Sequence, residues 1–306
     1  MISLMIFETL EKIPTTFGSA YKAPCPHQRR ATNMMLNPLQ LKHLNRIDES
    51  EADMITLNLE DAIAPSRKKE ALHNIGLFLS HLDTSRSFIV VRVNPLDEGG
   101  EEEITYLNQF GFDGIRLAKV KTQQEIARAL TLLDKDKELH ISLETKEAFE
   151  TLTSLRIDKR LTTANLGILD LLTSLGLPQS LVTEQNPTID YILSKFLVDA
   201  HTAGIHPIGF MYQAYHDTEG FKRWCQYEKA MGYRAKACMG PKQVAIANAV
   251  FGATPEEIAK AQHIKARFEA ESAKGNNGFM DERYGLFIDE PIYRDALLVL
   301  GENPCV

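Results

Sequence analysis

The stretch GIRLAKVKTQQEIARALTLLDKDKELHISLETKEAFETLTSLRIDKRLTTANLGILD, residues 114–170, decides the fold. Three apolar runs within it, GIRLAKV (114–120), LHISLE (139–144) and LTTANLGILD (161–170), are separated by helix-compatible segments. The first of those segments opens on Thr122 with Glu125 three residues later, the reciprocal capping-box pattern. Strands that alternate with capped helices are the mark of parallel βαβ units. Working outward, ATNMML (31–36), MITLNLE (54–60) and FIVVRVN (88–94) come before, and HPIGFM (206–211) and AKACM (235–239) come after. Eight strands with intervening helices in about 250 residues predict an α/β fold of the (β/α)8 TIM-barrel type. No Pro-, Gly- or Ser-rich linker divides the chain, so residues 1–275 are expected to form one barrel domain. A helix begins at Thr254-Pro255-Glu256-Glu257 and runs to about Gly275. Residues 276–306 are expected to be a C-terminal appendage with an Asn-Asn-Gly turn, a short hairpin and a helix led by Asp289 and Pro291.

Composition removes several functional classes. The 34 Lys+Arg against 41 Asp+Glu leave a net charge of −7 with no basic run, which argues against nucleic acid held by phosphate neutralisation. Cys25, Cys225, Cys238 and Cys305 form no CxxC pair, so neither a disulfide framework nor a thiolate zinc site is expected. The opening MISLMIFETLEKIP carries Glu8 and Glu11 and no basic region, unlike a signal peptide. No run approaches the roughly 18 to 20 apolar residues that cross a bilayer. The expectation is a soluble, cytoplasmic protein with no membrane partner.

Five of the eight runs end in polar groups: Glu60-Asp61, Arg92 with Asn94, Lys119, Glu144 and Asp170, one for each βα unit. In a barrel the C-terminal strand ends meet on one rim, so these groups would gather around one pocket. Glu144 and Asp170, at neighbouring strand ends, could offer two carboxylate oxygens to Mg²⁺, which keeps its other positions for water and substrate. Arg92 offers a guanidinium fork suited to a carboxylate. A metal plus an arginine describes a pocket for a small oxo-acid. Each residue taken singly also has a plainer reading. A strand-end acid can be a helix cap, Lys119 a structural ion pair, Arg92 a rim salt bridge, and Glu60-Asp61 the start of a helix. The nine histidines form no HxH or HExxH cluster, and GFMYQAY (209–215) reads as core.

Together these motifs resemble the citrate lyase β-subunit-like (HpcH/HpaI aldolase/citrate lyase) family. The likeness is carried by NLEDAIAPSRKKEAL (58–72), VRVNPL (91–96), FDGIRLAKV (112–120), LETKEA (143–148) and LGILDLLTSLG (166–176). It continues through HDTEGF (216–221), GPKQVAIANAVFGATPEEIAKA (240–261) and GLFIDEPIYRDA (285–296). The resemblance implies a Mg²⁺-dependent carbon–carbon lyase, typically a homotrimer or a dimer of trimers. Its substrate would be a β-hydroxyacyl thioester of citramalyl-CoA, malyl-CoA or citryl type, cleaved to an acetyl thioester and a small 2-keto acid. It further implies that Glu144 and Asp170 bind the metal, that Arg92 and Glu144 meet the substrate, and that Asp289 acts as acid/base. Asp289 also reads as the N-cap before Pro291.

The sequence departs from the family at several places. Asn58 stands for an aspartate, Leu169-Asp170 for a Glu-Asp pair, and Lys146 for a small residue after Glu144-Thr145. Gly209 and Ala214 replace two aspartates, and Ala235-Lys236-Ala237-Cys238-Met239-Gly240-Pro241 replaces a Gly-Lys-x-x-Ile-His-Pro run. These departures motivate an alternative reading as a non-catalytic or weakly catalytic barrel subunit that binds a carrier protein or metabolite in a larger assembly.

Overall fold

The computed structural model describes residues 16–24 and 29–301. The N-terminal run 1–14, Cys25 and Cys305 lie outside the described residues. The chain forms two compact units, Met1–Phe251 and Gly252–Val306.

The first unit runs β1 (Thr32–Leu36), α1 (Leu41–Leu44), β2 (Met54–Asn58), α2 (Lys68–Ser80), β3 (Phe88–Val93), α3 (Gly100–Leu107), β4 (Gly114–Leu117) and α4 (Gln123–Leu132). It continues with β5 (Glu138–Leu143), α5 (Lys146–Leu155), β6 (Leu161–Leu166), α6 (Ile168–Ser174), α7 (Pro187–Ala203), β7 (His206–Ile208), α8 (Thr218–Met231), β8 (Lys236–Cys238) and α9 (Pro241–Phe251). All eight strands read from the sequence are present. They pair in parallel in the order β7-β6-β5-β4-β3-β2-β1-β8. The ring closes where Gly209 N–H donates to Ala235 O at 2.9 Å and Ala237 N–H donates to Gly209 O at 3.1 Å. The result is a (β/α)8 barrel.

Strand alternation divides the side chains into two sets. Ile55, Leu57, Ile89, Val91, Ile115, Leu117, Leu139 and Ile141 join one large apolar cluster with helix residues such as Phe78, Ile104, Ile126 and Leu152. The intervening residues face inward and are largely polar. Register aligns Asn58 with Arg92, Arg92 with Arg116, Arg116 with His140, and His140 with Thr163. Hydrogen bonds cross the interior, from Thr56 Oγ1 to Asn33 Oδ1 at 2.8 Å and from Asn33 Nδ2 to Asn165 Oδ1 at 2.9 Å.

At the N-terminal mouth, Arg30 grips Glu138 through both of its terminal nitrogens at 2.9 and 2.7 Å and covers the Phe88 ring at 4.6 Å. Burial would raise the Glu138 carboxyl, but hydrogen bonds from His140 and Arg30 outweigh it and bring the group from 4.5 down to about 2. A carboxyl depressed on folding stabilises the fold above its unfolded value, and that stabilisation is lost as pH falls toward the folded value. Glu138→Gln should therefore cost on the order of 3 kcal/mol at neutral pH, with the gap to wild type closing between about pH 4.5 and 2. Urea midpoints measured across that range test this; a gap independent of pH would refute it.

Between β8 and α8 lies a fully buried ion pair, Lys236 with Glu228, with the ammonium 3.7 Å above the Phe210 ring. A Cβ at Gly209 would collide with Glu228 Oε2, so the close approach of this carboxylate requires glycine there. Cys225 and Cys238 are free and buried, and burial raises both thiols, Cys225 to about 12. Such thiols are inert. Of GFMYQAY, Phe210 is buried against Trp224, while Tyr212 and Tyr215 are only partly covered.

The second unit contains α10 (Pro255–Ser272), a hairpin of β9 (Phe279–Asp281) and β10 (Leu286–Ile288), and α11 (Glu290–Leu300). Its own core is Ala261, Ile264, Phe268, Ile288 and Ala296. The division after Phe251 falls earlier than the 275/276 boundary read from the sequence, because α10 packs on α11 and the hairpin. Both capping boxes are formed, at Thr122 with Glu125 and at Thr254 with Glu257.

Candidate functional site

The C-terminal rim of the barrel collects charged groups from β2 to β6. Glu60, just past β2, is 2% exposed and forms ion pairs with Arg92 Nη2 and, at 2.9 Å, with Lys119 Nζ. It does not start a helix; α2 begins only at Lys68, after Arg67. Lys119 also reaches Asp61 at 3.4 Å, and the bond to Glu60 raises its amine above the usual lysine range. The ion-pair reading of Lys119 is thus observed. Its backbone adopts φ +51°, a left-handed conformation uncommon outside glycine, and in it the Lys119 N–H donates to Glu144 Oε1 at 2.8 Å.

Glu144, at the end of β5, is 4% exposed, and its Oε2 stands 3.7 Å from Arg92 Nη2. Burial raises its carboxyl, with Arg92 and the Lys119 N–H opposing and the nearby charges of Glu60 and Asp170 reinforcing. Gly167 leaves room for it, since a Cβ there would lie 2.7 Å from Oε2. Asp170 sits in the first turn of α6, where a carboxylate is favoured by the helix dipole. It is exposed and makes no hydrogen bond with the described residues.

Glu60, Arg92, Lys119 and Glu144 are therefore brought together, and Asp170 lies within electrostatic reach of Glu144. Asn94 turns away, its amide donating to Leu59 O and Glu103. Asp289 lies in the second unit and caps α11, accepting from Ile292 N–H at 3.3 Å.

Arg116 escaped the sequence reading because GIRLAKV looks like an ordinary buried strand. It lies in register with Arg92, is 3% exposed, and has an Nε without a hydrogen-bond partner. Burial and the charge of Arg92 push its guanidinium down to about 9, against Glu144 and Glu60. An arginine inside a strand buried on both faces was the available signal.

Among the described residues no group of three or more His, Cys, Asp or Glu could enclose a metal ion. The donor set at Glu144 and Asp170 is two hard carboxylates, one buried and one free. That fits an ion that takes few protein ligands and keeps water and substrate oxygens, as Mg²⁺ does.

A barrel that gathers carboxylates and arginines at its C-terminal rim has the architecture of an α/β-barrel enzyme. This chain belongs to the HpcH/HpaI aldolase/citrate lyase family, whose model matches residues 34–241. It is 30% identical over 225 residues to a (3S)-malyl-CoA thioesterase of Cereibacter sphaeroides, covering 73% of this chain and 78% of the relative. It is 28% identical over 260 residues to citrate lyase subunit beta of Leuconostoc mesenteroides subsp. cremoris, covering 81% and 85%. The fold matches that of the protein CitE from Mycobacterium tuberculosis, solved in complex with magnesium, acetoacetate and coenzyme A. The TM-score is 0.67 at 18% identity, over 90% of this chain and 98% of the other. No helix among the described residues is long and apolar enough to cross a membrane.

Proposed function

We propose that this protein is a Mg²⁺-dependent carbon–carbon lyase acting on a β-hydroxyacyl thioester of citramalyl-CoA, malyl-CoA or citryl type. The observation that carries the reading is the Glu144 carboxylate, buried at the rim, held by the Lys119 N–H, 3.7 Å from Arg92 and closely approached by Gly167, where any side chain would collide with it. Support also comes from relatives named for malyl-CoA and citrate lyase, and from the magnesium bound in the complex solved for CitE.

In this reading Glu144 and Asp170 would hold the ion, which when bound supplies Lewis-acid polarisation of the oxygen that becomes the keto group. Arg92, its Nε buried without a partner, orients the substrate carboxylate. Glu60 holds Arg92 in place. As the carbon–carbon bond breaks, the hydroxyl proton passes to water, the oxygen becomes the keto group, and the bonding pair passes into the thioester as its enolate. That enolate is then protonated at carbon, the acid/base step for which the family resemblance suggests Asp289. The products are an acetyl thioester and a 2-keto acid.

A second reading, hydrolysis of the thioester in the same pocket, is favoured by the relative named a malyl-CoA thioesterase. One assay separates the two. Purified protein is offered citramalyl-CoA, malyl-CoA and a citryl thioester, with and without Mg²⁺, and the products are identified. The lyase reading expects keto acid and acetyl thioester, lost without Mg²⁺ and sharply reduced in Asp170→Asn with the circular dichroism spectrum intact. Release of free hydroxy acid would favour hydrolysis, and full activity of Asp170→Asn would remove the metal assignment.

A further inference from the structure

What the rim selects, given the reading of it as a keto-acid site on which the following rests, turns on which cations the protein leaves unanswered. Arg92 and Lys119 both pair with Glu60, so their charges are answered within the protein. Arg116 differs. It is 3% exposed and its guanidinium makes no hydrogen bond or ion pair with the described residues; its Nε is enclosed without a partner, as that of Arg92 is, but it has no ion pair of the kind Arg92 makes with Glu60. A buried guanidinium with no acceptor is a destabilising feature, and native structures leave few such groups without a reason. Donors that find no acceptor in the protein suit an acceptor that arrives from outside.

The register supplies the geometry. Arg92 and Arg116 are direct partners on β3 and β4. Neighbouring strands lie about 4.8 Å apart, so two inward-facing guanidinia in register form adjacent forks that a four-carbon diacid can bridge. Other charges facing Arg116 are Glu144 and Glu60, which support its cationic form.

We propose that Arg116 is a specificity-determining residue that takes a second carboxylate of the acid half of the substrate, so that the site prefers a dicarboxylic 2-keto acid to a monocarboxylic one. Arg92 takes the first carboxylate, and Arg116 reads whether another is present.

Titration calorimetry on the full chain with Mg²⁺ tests this, with oxaloacetate and 2-ketobutyrate as probes that differ by a carboxylate in place of a methyl group. Wild type is expected to bind oxaloacetate at least about tenfold more tightly, as one charge-assisted contact provides. Arg116→Met should lose that preference and keep its affinity for 2-ketobutyrate within about twofold, and Arg116→Lys should retain part of the preference. Because the guanidinium lacks a protein partner, the thermal midpoint of unliganded Arg116→Met should equal or exceed that of wild type, whereas an arginine with a merely structural role would lower it. Equal binding of the two acids by wild type, or an Arg116→Met variant that weakens both alike or neither, overturns the role of Arg116 and leaves the lyase reading standing. Folded wild type that binds neither acid overturns both.

Discussion

Glu144→Gln is expected to lower metal-dependent thioester cleavage by well over a hundredfold, since losing a direct ligand should exceed the 10- to 100-fold effect of losing a partner in the outer shell. The substitution keeps shape and one hydrogen-bond acceptor for the Lys119 N–H, so the rim should stay assembled. What it removes is the negative charge that faces Arg92 and that would hold the ion in the proposed mechanism. Asp170→Asn removes the same charge from an exposed side chain with no protein partner, where water can partly substitute, so the loss at Glu144 should be the larger. Turnover against Mg²⁺ concentration gives the measurement. A Glu144→Gln enzyme with wild-type rate at saturating Mg²⁺ would exclude Glu144 as a ligand.

The second large effect concerns stability. Glu228→Gln leaves the Lys236 ammonium fully buried with no counter-charge, and breaking such a pair on one side typically costs about 3–5 kcal/mol. The pair is held against a strong opposing tendency, since burial pushes the Glu228 carboxyl up to about 7 even with Lys236 beside it. Replacing both partners, Glu228→Gln with Lys236→Met, should recover much of the loss, because no charge is then left buried. Urea denaturation of the two single variants and the double gives the coupling directly. Additive losses would show that the two charges do not depend on each other.

This pair also gives a physical reason for one departure from the family. Where aspartate is often found the chain has Gly209, and that missing side chain leaves the space in which Glu228 Oε2 lies.

The barrel was legible in the sequence because each inner strand is a short apolar run and two of the helices carry reciprocal caps, signals that depend only on neighbours in the chain. The gathering of Glu60, Arg92, Lys119 and Glu144 could be anticipated from their strand-end positions, which parallel connections bring to one rim. Pairing could not. That Glu60 sits between two cations instead of opening a helix depends on the inward turn of three different loops. Arg116 was hidden because periodicity alone does not separate the inner face of a barrel strand from the outer one. The division after Phe251 leaves no local mark in the sequence, because the preference of α10 for α11 is a packing fact.

Lys119 joins two demands in one residue. Its main chain, bent into a left-handed turn, serves Glu144, and its side chain serves Glu60. The two contributions are genetically separable: glycine would satisfy the backbone and delete the amine, whereas a β-branched residue would strain the turn as well. One codon thus gives independent access to the two halves of the rim.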